Sequence, residues 1–328
     1  MLPLMSPVVI SDQFRAMGCS VEVLIVDGSV DLRDLARRNI ARLEQCWSRF
    51  IPTSDICCIN HADGTLVRVD PSTMTLLAAM VEGWTATLGS FDPTLLAPLV
   101  GLGYDMSWDN PRNTTSLAAN AHARTPLDRI ELNPAANTVR APSGCSLDAG
   151  GIGKGLAADL TAIALIEAGA KGALVSIGGD LRVRGAAPQD GGWLIGVADP
   201  IDDTIEAAQV TLLDGGLATS GPGGHAWVGP EQTLVHHLLD PTTQQPLPVS
   251  FPGSVIEATV IAGTAAWAEV WTKAILVNGP TATFPLLDDL DLGARAVFAD
   301  GTFATSSAWH NYERSSAATA ISSNECSA

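Results

Sequence analysis

The stretch LDAGGIGKGLAAD, residues 147–159, constrains the fold most, because four glycines fall within six residues and a helix-forming run follows them. Glycine allows positive φ and close backbone approach. A glycine turn that feeds a helix N-terminus offers free N–H groups and a positive dipole end to an anion. The Walker motif fails at Asp148 and Gly155, and the spacing G-x-G-x-G does not match the dinucleotide fingerprint. The stretch therefore predicts either a phosphate-binding turn or a purely structural tight turn.

Composition excludes several classes of partner. The 328 residues are 46% hydrophobic, enough for one large domain or two intimate lobes. The net charge of −17 argues against nucleic acid and against an anionic membrane surface. Any anionic ligand must then be held by local backbone amides, a lysine or a metal ion, because the overall field of the protein repels it.

The sequence predicts a cytoplasmic protein. None of the six cysteines forms a C-x-x-C pair, which suits a reducing compartment. The apolar N-terminus MLPLMSPVVI is short and lacks a basic segment, so it does not resemble a signal peptide. Cys19 follows Ala16-Met17-Gly18, a faint echo of a lipoprotein cleavage site that we interpret as a strand residue. No run approaches the roughly 18 apolar residues of a transmembrane helix.

Periodicity predicts helices early in the chain and strands late. Apolar spacing indicates a helix over 31–50, a second helix begins at Asp70-Pro71 and runs towards Gly89, and a third spans 155–168. Residues 90–105, rich in Pro and Gly, are predicted to be an ordered loop. Later strands are predicted near 173–177, 193–200, 209–213, 235–241, 255–263 and 294–301, with a helix at 265–279.

This order favours an α+β fold, not alternating βαβ units. The small, polar tail at residues 314–328 is predicted to be disordered. Residues 1–313 are then expected to form a single domain of two lobes.

Eight segments, in this order, resemble the ApbE family of flavin transferases. They span residues 17 to about 279 and read MGCSVEV, SRFIPTSDICCIN, SFDPT, LDAGGIGKGLAAD, SIGGDLRVRG, GLATSG, HHLLDP and AAWAEVWTKAILV. The resemblance implies an ApbE-like, T-fold-type architecture of two intimate lobes, with mainly antiparallel sheets, flanking helices and FAD bound between the lobes.

The same resemblance implies Mg²⁺-dependent transfer of FMN from FAD to a Thr or Ser hydroxyl of a target flavoprotein, with release of AMP. The acceptor is expected to carry a D-G-A-T-S/T-like motif. Many relatives are exported, whereas this chain shows no visible export signal. The residues alone also leave open a metal-dependent FAD pyrophosphatase, which gives FMN and AMP, and a non-catalytic FAD-binding protein.

Site residues follow from the resemblance position by position. His237 matches the family histidine and is expected to accept the proton of the target hydroxyl, because a neutral imidazole titrates near working pH. The positions implied to contact FAD are Met17, Phe50, Ser90, Phe91, Asp92, Asp148, Lys154 and Leu239. Simpler interpretations stay open, with Asp92 as a turn cap, Lys154 as a solvated helix-start residue and Gly178-Gly179-Asp180 as a hairpin turn.

The implied metal site departs from the family pattern A-D-A-x-[SD]-T. The family's ligands correspond here to the Gly151 carbonyl, Glu269, Thr272 and the position of Lys273. A protonated lysine cannot ligate a metal ion, so the need for Mg²⁺ is in doubt. Two hypotheses follow: a looser metal site formed by Gly151, Glu269 and Thr272, or a Lys273 ammonium that supplies part of the metal's charge.

Overall fold

The fold is a mixed α+β architecture with one large antiparallel sheet. The structure is a computed structural model that describes residues 6–202, 204–251 and 253–314. Its strands are β1 (Val9–Ala16), β2 (Cys19–Val26), β3 (Val67–Arg68), β4 (Glu131–Asn133), β5 (Thr138–Arg140), β6 (Gly172–Ile177), β7 (Asp180–Gly185), β8 (Trp193–Ala198), β9 (Glu206–Leu212), β10 (Gly215–Ser220), β11 (Ala226–Val228), β12 (Leu234–His236), β13 (Val255–Ala262), β14 (Gly293–Phe298) and β15 (Phe303–Thr305).

Helices flank this sheet. They are α1 (Leu32–Trp47), α2 (Asp55–His61), α3 (Pro71–Ala86), α4 (Leu96–Gly101), α5 (Gly153–Glu167), α6 (Ala265–Asn278) and α7 (Pro280–Asp289), with short 3-10 turns at Leu127–Arg129, Pro222–Gly224 and Ser307–Asn311. Within the described ranges, none of these helices is long and apolar enough to cross a membrane.

The main sheet has eight strands in the order β1-β2-β6-β7-β10-β13-β14-β15, and each neighbouring pair is antiparallel. Smaller antiparallel sheets are formed by β3-β5-β4, β8-β9 and β11-β12. The predicted α+β class with mainly antiparallel sheets is therefore confirmed.

Alternation along β2 explains why both faces of the sheet are covered. Val23 and Ile25 are buried in a core shared with α1 and α5, whereas Val26 packs into a separate core with Trp193 and Val210 of the β8-β9 hairpin. Successive strand residues point to opposite faces, so one strand serves both layers. The helices that carry the site lie on the first face.

Helices α5 and α6 pack closely near their N-termini, and each accepts hydrogen bonds from backbone N–H groups of the other. A Cβ on Gly155 would lie 2.5 Å from the carbonyl oxygen of Ala265, so only glycine permits this approach. Glu269 of α6 accepts from the Gly155 N–H at 2.9 Å. Asp159 of α5 accepts from the N–H groups of Ala265 and Ala266, each at 2.9 Å. Each helix thus satisfies unpaired amides of the other.

Most predicted elements are found with small shifts in their ends. The second helix begins at Pro71 with Asp70 as its cap, as predicted, and α5 begins at Gly153, two residues early. The prediction of a loop over 90–105 is incomplete, because α4 lies within it. A helix of six residues is too short to show apolar periodicity. The division into two lobes stays a prediction.

The predicted disordered tail lies outside the described residues, except for Arg314. The Arg314 N–H donates to the Gln209 carbonyl at 2.8 Å, so ordered chain extends one residue beyond the predicted boundary. Within the described part of the chain, the five cysteines are free thiols.

Candidate functional site

The glycine-rich stretch forms a turn that is closed by its own carboxylate. Asp148 accepts from the Gly150 N–H at 3.0 Å, and its other carboxylate oxygen lies 3.5 Å from Arg49 Nε. At the start of α5, Glu269 takes the Gly155 N–H. The helix dipole therefore already faces a protein carboxylate, which argues against an open amide cradle of the Walker type.

Four side chains meet beside this turn, and we call them the charged cluster: Lys154, Asp180, Glu269 and Lys273. Lys154 Nζ donates to Asp180 and to Glu269, the latter at 2.6 Å. Lys273 Nζ lies 3.5 Å from Glu269 and 3.1 Å from Ser220 Oγ. Two ammonium groups and two carboxylates thus balance formally.

Regular structure fixes the positions of these four side chains. Lys154 lies in the first turn of α5, and Glu269 and Lys273 are one turn apart on α6. Asp180 begins β7 directly after a two-residue turn in which Gly178 and Gly179 have φ of 61° and 94°. Such a turn matches the twist of a tight hairpin.

Burial divides the charged cluster by sign. The side chains of Glu269 and Asp180 are 0% and 2% exposed, whereas those of Lys154 and Lys273 are 25% and 14% exposed. The carboxylates therefore lie deeper than the lysine side chains, and Lys154 Nζ points inwards to both of them.

The pKa values follow from burial and from the ion pairs. Burial raises the pKa of Asp180 to about 6, although Lys154 opposes the shift. Burial would lower the pKa of Lys154, but Asp180 and Glu269 outweigh it and raise that pKa above its ordinary value. For Lys273 burial prevails and lowers the pKa, despite the neighbouring Glu269.

A second group, which we call the aromatic cluster, is joined to the glycine stretch by Arg49, whose Nε lies 3.5 Å from Asp148. Its rings are Phe50, Tyr104, Trp108, His225, Trp227 and His237. Ring centroids are 5.2 Å apart for Tyr104 and Trp227, and 5.3 Å apart for His225 and His237. These separations are typical of interacting aromatic pairs.

Arg49 joins the aromatic cluster to the glycine stretch. Its guanidinium carbon lies 4.2 Å from the Phe50 ring centre and 4.4 Å from that of Tyr104. It donates to the Tyr104 carbonyl at 3.0 Å and to Thr115 Oγ1 at 2.6 Å. Its Nη2 is buried and has no hydrogen-bond partner among the described residues, so it retains donor capacity.

His237 is neutral. Burial, followed by the charge of neighbouring His225, lowers its pKa to about 3. Its Nδ1 lies 3.3 Å from the His225 carbonyl oxygen, which can only accept, so we assign the proton to Nδ1. Nε2 is then left as a hydrogen-bond acceptor.

Comparison with known proteins identifies the family. The sequence model described as the ApbE family matches residues 17–298. The chain belongs to the ApbE family.

Individual relatives agree with this assignment. An FAD:protein FMN transferase of Klebsiella pneumoniae (strain 342) is 26% identical over 267 residues, which cover 79% of this chain and 74% of the relative. The ApbE protein of Thermotoga maritima has a similar fold, with a TM-score of 0.79, 24% identity, and coverage of 94% of this chain and 100% of the other. The apo flavinyl transferase ApbE of Pseudomonas stutzeri gives a TM-score of 0.76, 22% identity, and coverage of 94% and 98%.

The residues at the ApbE metal position come together but do not fit a divalent cation. Mg²⁺ requires near-octahedral oxygen ligands at about 2.1 Å. Both Glu269 oxygens already accept hydrogen bonds, one from Lys154 and one from the Gly155 N–H. Thr272 Oγ1 donates to the Glu269 carbonyl at 2.7 Å, and the Lys273 ammonium lies in the same space. A free ion would meet positive charge here.

The side-chain ligands available in the fold also argue against a metal site. Across residues 6–202, 204–251 and 253–314, no group of three or more His, Cys, Asp or Glu side chains could hold a metal ion. Asp180 Oδ1 is buried without a hydrogen-bond partner in that part of the chain. One such oxygen does not make an octahedral site, so we derive no step through a metal.

The predicted FAD-contacting residues at 90–92 occupy different environments. Ser90 accepts from Asn278 at 2.7 Å and, with Asp92, lines a cavity of about 340 Å³. Asp92 Oδ1 accepts from the N–H and the hydroxyl of Thr94, which is a turn cap, and burial raises its pKa. Phe91 is 3% exposed and packs beneath Gly151. Contact of these three with FAD stays a prediction.

Met17 and Leu239 are also held by backbone geometry. Met17 has φ 53° and Gly18 has φ 74°, and together they form the two-residue turn between β1 and β2. Leu239 is buried and forms a backbone bridge with Pro246. Neither residue belongs to the charged cluster or the aromatic cluster, and their contact with FAD stays a prediction.

Five prominent site residues were not predicted from the sequence: Arg49, Tyr104, Asp180, Ser220 and His225. Arg49 precedes the predicted Phe50, and this adjacency was the available signal, whereas its burial is visible only in the structure. Asp180 and Ser220 were noted only as parts of possible hairpin turns. Tyr104 and His225 lie in irregular segments, where no periodicity marks them.

Proposed function

We propose that this ApbE-family chain is an FAD:protein FMN transferase, which moves FMN from FAD to a Thr or Ser hydroxyl of a target flavoprotein and releases AMP. The observation that carries the proposal is that the glycine stretch contacts two complementary groups. Asp148 contacts Arg49 of the aromatic side, while a Cβ on Gly151 would lie 3.6 Å from Lys273 Cε of the charged cluster.

FAD has the two chemical features that these groups could bind. Its isoalloxazine ring is flat and aromatic, and stacking on aromatic rings favours such a ligand. Its pyrophosphate is anionic, and the ammonium groups of Lys154 and Lys273 favour it. The predicted contacts of Met17, Phe50, Ser90, Phe91, Asp92, Asp148, Lys154 and Leu239 with FAD belong to this proposal.

The reaction is a phosphoryl-group transfer. The target hydroxyl oxygen forms a bond to the phosphorus of the FMN half of FAD. The bond from that phosphorus to the bridging oxygen breaks, and AMP leaves with that oxygen. His237 Nε2 accepts the hydroxyl proton, while Nδ1–H keeps the ring oriented on the His225 carbonyl. Positioning and neutralisation of phosphate charge provide the rest.

The acceptor is proposed to carry a D-G-A-T-S/T-like motif. The purified chain should be incubated with FAD and a protein bearing this motif, with a matched acceptor whose motif hydroxyl residues are replaced by alanine. We expect the first acceptor alone to gain the mass and fluorescence of FMN, with one AMP released per label.

Two other outcomes would contradict this function. Free FMN and AMP without labelled acceptor would indicate an FAD pyrophosphatase. Tight FAD binding without turnover would indicate a non-catalytic FAD-binding protein. The cytoplasmic location is also a proposal, and fractionation of cells that express the full-length protein would test it.

A further inference from the structure

Lys273 lies at the centre of the residues that the ApbE resemblance assigns to a metal. Its Nζ is 3.1 Å from Ser220 Oγ and 3.5 Å from Glu269 Oε1. Its Cε lies 3.6 Å from where a Cβ on Gly151 would be. An ammonium group therefore occupies the space among these side chains, with its hydrogen-bond partners already in place.

Glu269 acts here as a counter-ion. It is fully buried, and its two oxygens accept from Lys154 Nζ at 2.6 Å and from the Gly155 N–H at 2.9 Å. A carboxylate engaged in this way neutralises the lysines and caps α5. Losing those bonds to bind a metal ion would leave the buried Gly155 N–H without a partner and would remove one of the two carboxylates that hold Lys154, which is costly.

The lysines are the more exposed members of the charged cluster. The Lys273 and Lys154 side chains are 14% and 25% exposed, whereas the carboxylates are 2% exposed or less. In a chain of net charge −17, these two neighbouring lysines are local groups that can attract an anion. A lysine supplies a compact charge and three donors to phosphate oxygens, which is also the charge-neutralising part of what a divalent ion does in phosphoryl transfer.

We propose that the Lys273 ammonium takes the place of the divalent cation in this chain, so that FAD binds through its pyrophosphate and FMN is transferred without a metal ion. The inference rests on the proposed function and specifies how that site handles phosphate charge. Its direct consequence is that metal dependence should be a property of residue 273.

Three substitutions test this. Lys273→Thr restores the hydroxyl that the family pattern has here, Lys273→Met keeps the length without the charge, and Lys273→Arg keeps the charge. For each variant and the wild type, FAD affinity is measured by calorimetry and FMN transfer is measured in EDTA and in Mg²⁺. Binding of Mn²⁺ is followed by electron paramagnetic resonance, with and without FAD, and thermal unfolding confirms that each variant is folded.

The wild type is expected to bind FAD and transfer FMN equally in EDTA and in Mg²⁺, and to bind no stoichiometric Mn²⁺. Lys273→Met should lose about tenfold or more in FAD affinity, whereas Lys273→Arg should retain metal-free transfer. Lys273→Thr should lose transfer in EDTA, regain it with Mg²⁺ and bind one Mn²⁺ per chain when FAD is present.

The contrary results are distinct. Wild-type transfer that disappears in EDTA and returns with Mg²⁺, or stoichiometric Mn²⁺ on the wild type, would overturn this inference alone. Unchanged FAD affinity in a folded Lys273→Met would also overturn it. Absence of FAD binding and transfer under every metal condition would overturn the proposed function, and the pyrophosphate contact with it.

Discussion

The charged cluster and the aromatic cluster both lie next to one glycine turn, but they are built differently. The charged cluster comes from helix starts, one helix face and a strand start, and its buried carboxylates are engaged by both lysines. The aromatic cluster comes mostly from connecting segments, with Trp108 49% exposed and Arg49 Nη2 unpartnered in the described structure. The charged cluster resembles a structural core, whereas the aromatic cluster resembles a partly exposed ligand-binding surface.

This difference predicts where mutations will act. Removing a buried charge leaves its partner charges without compensation. Substitutions in the charged cluster should therefore lower the stability of the fold as well as the affinity for FAD. Loss of a partly exposed ring should affect binding with little effect on folding.

Glu269→Ala should give the largest change in stability. It leaves two ammonium groups and the Gly155 N–H without their shared acceptor, and we expect a loss of about 3–5 kcal/mol in the free energy of unfolding. Denaturant unfolding at neutral pH measures it. Glu269→Asp keeps the charge and should lose less unfolding free energy. If Glu269→Ala lowered the free energy of unfolding by under about 1 kcal/mol, the charged cluster would stabilise the fold no more than weak surface ion pairs do.

His237→Gln should lower FMN transfer about 100-fold with FAD affinity unchanged. General-base catalysis contributes about 10²–10⁴-fold, and the low pKa of His237 favours the small end of that range. Single-turnover labelling of an acceptor measures the rate.

A matched control for His237→Gln is available next to it. His236 is buried, and its Nε2 lies 2.9 Å from the Leu247 carbonyl, away from the aromatic cluster. His236→Gln should keep the transfer rate. Equal rates for the His237 variant and the wild type would remove His237 from the reaction.

Tyr104→Ala should weaken FAD binding about tenfold, because it removes a ring that stacks on Arg49 and contacts Trp227. Calorimetric titration with FAD checks this, and Tyr104→Phe, which keeps the ring, should bind as the wild type does. A drop in unfolding free energy without any change in FAD affinity would contradict the contrast between the two clusters.

The stability of the protein should fall as the pH is lowered, because His237 resists protonation in the folded state. Its folded pKa of about 3 lies below the ordinary value of 6.5, so the unfolded chain binds the proton first as pH falls. Stability from this group is complete above pH 6.5 and is lost towards pH 3, by at most about 1.4 kcal/mol per pH unit.

The measurement for this effect is a difference between two proteins. Burial raises the pKa of Asp159 to about 6 and that of Asp180 to about 6, and both oppose the His237 effect in part of the same window. The slope of unfolding free energy against pH should therefore be compared between wild type and His237→Gln. Parallel slopes from pH 6.5 to pH 4 would show that His237 does not titrate as described.

The charged cluster was largely predictable from the sequence. Lys154, Glu269 and Lys273 lie in segments with family spacing, and the i, i+4 pair on α6 follows from helix geometry. Asp180 was less accessible, because a glycine-glycine turn explains its segment equally well. Only the packing of α5 against β6 and β7 brings it to Lys154.

The aromatic cluster was predicted only at Phe50 and His237. Tyr104 and His225 are far apart in sequence, and their contact at 6.2 Å between ring centres depends on how irregular segments fold against each other. Local secondary-structure propensity carries no information on a tertiary contact of this kind. The same limit explains why the sequence left the metal question open, because the position of Lys273 Nζ, 3.1 Å from Ser220 and 3.5 Å from Glu269, follows from the tertiary fold.

The reciprocal capping of α5 and α6 has a consequence for how the molecule opens. Glu269 takes an amide of α5, and Asp159 takes the Ala265 and Ala266 amides of α6. Fraying at the N-terminus of either helix therefore breaks a hydrogen bond to a carboxylate of the other helix. In hydrogen exchange, the Gly155, Ala265 and Ala266 amides should therefore share one opening free energy, close to that of global unfolding, and lose protection together.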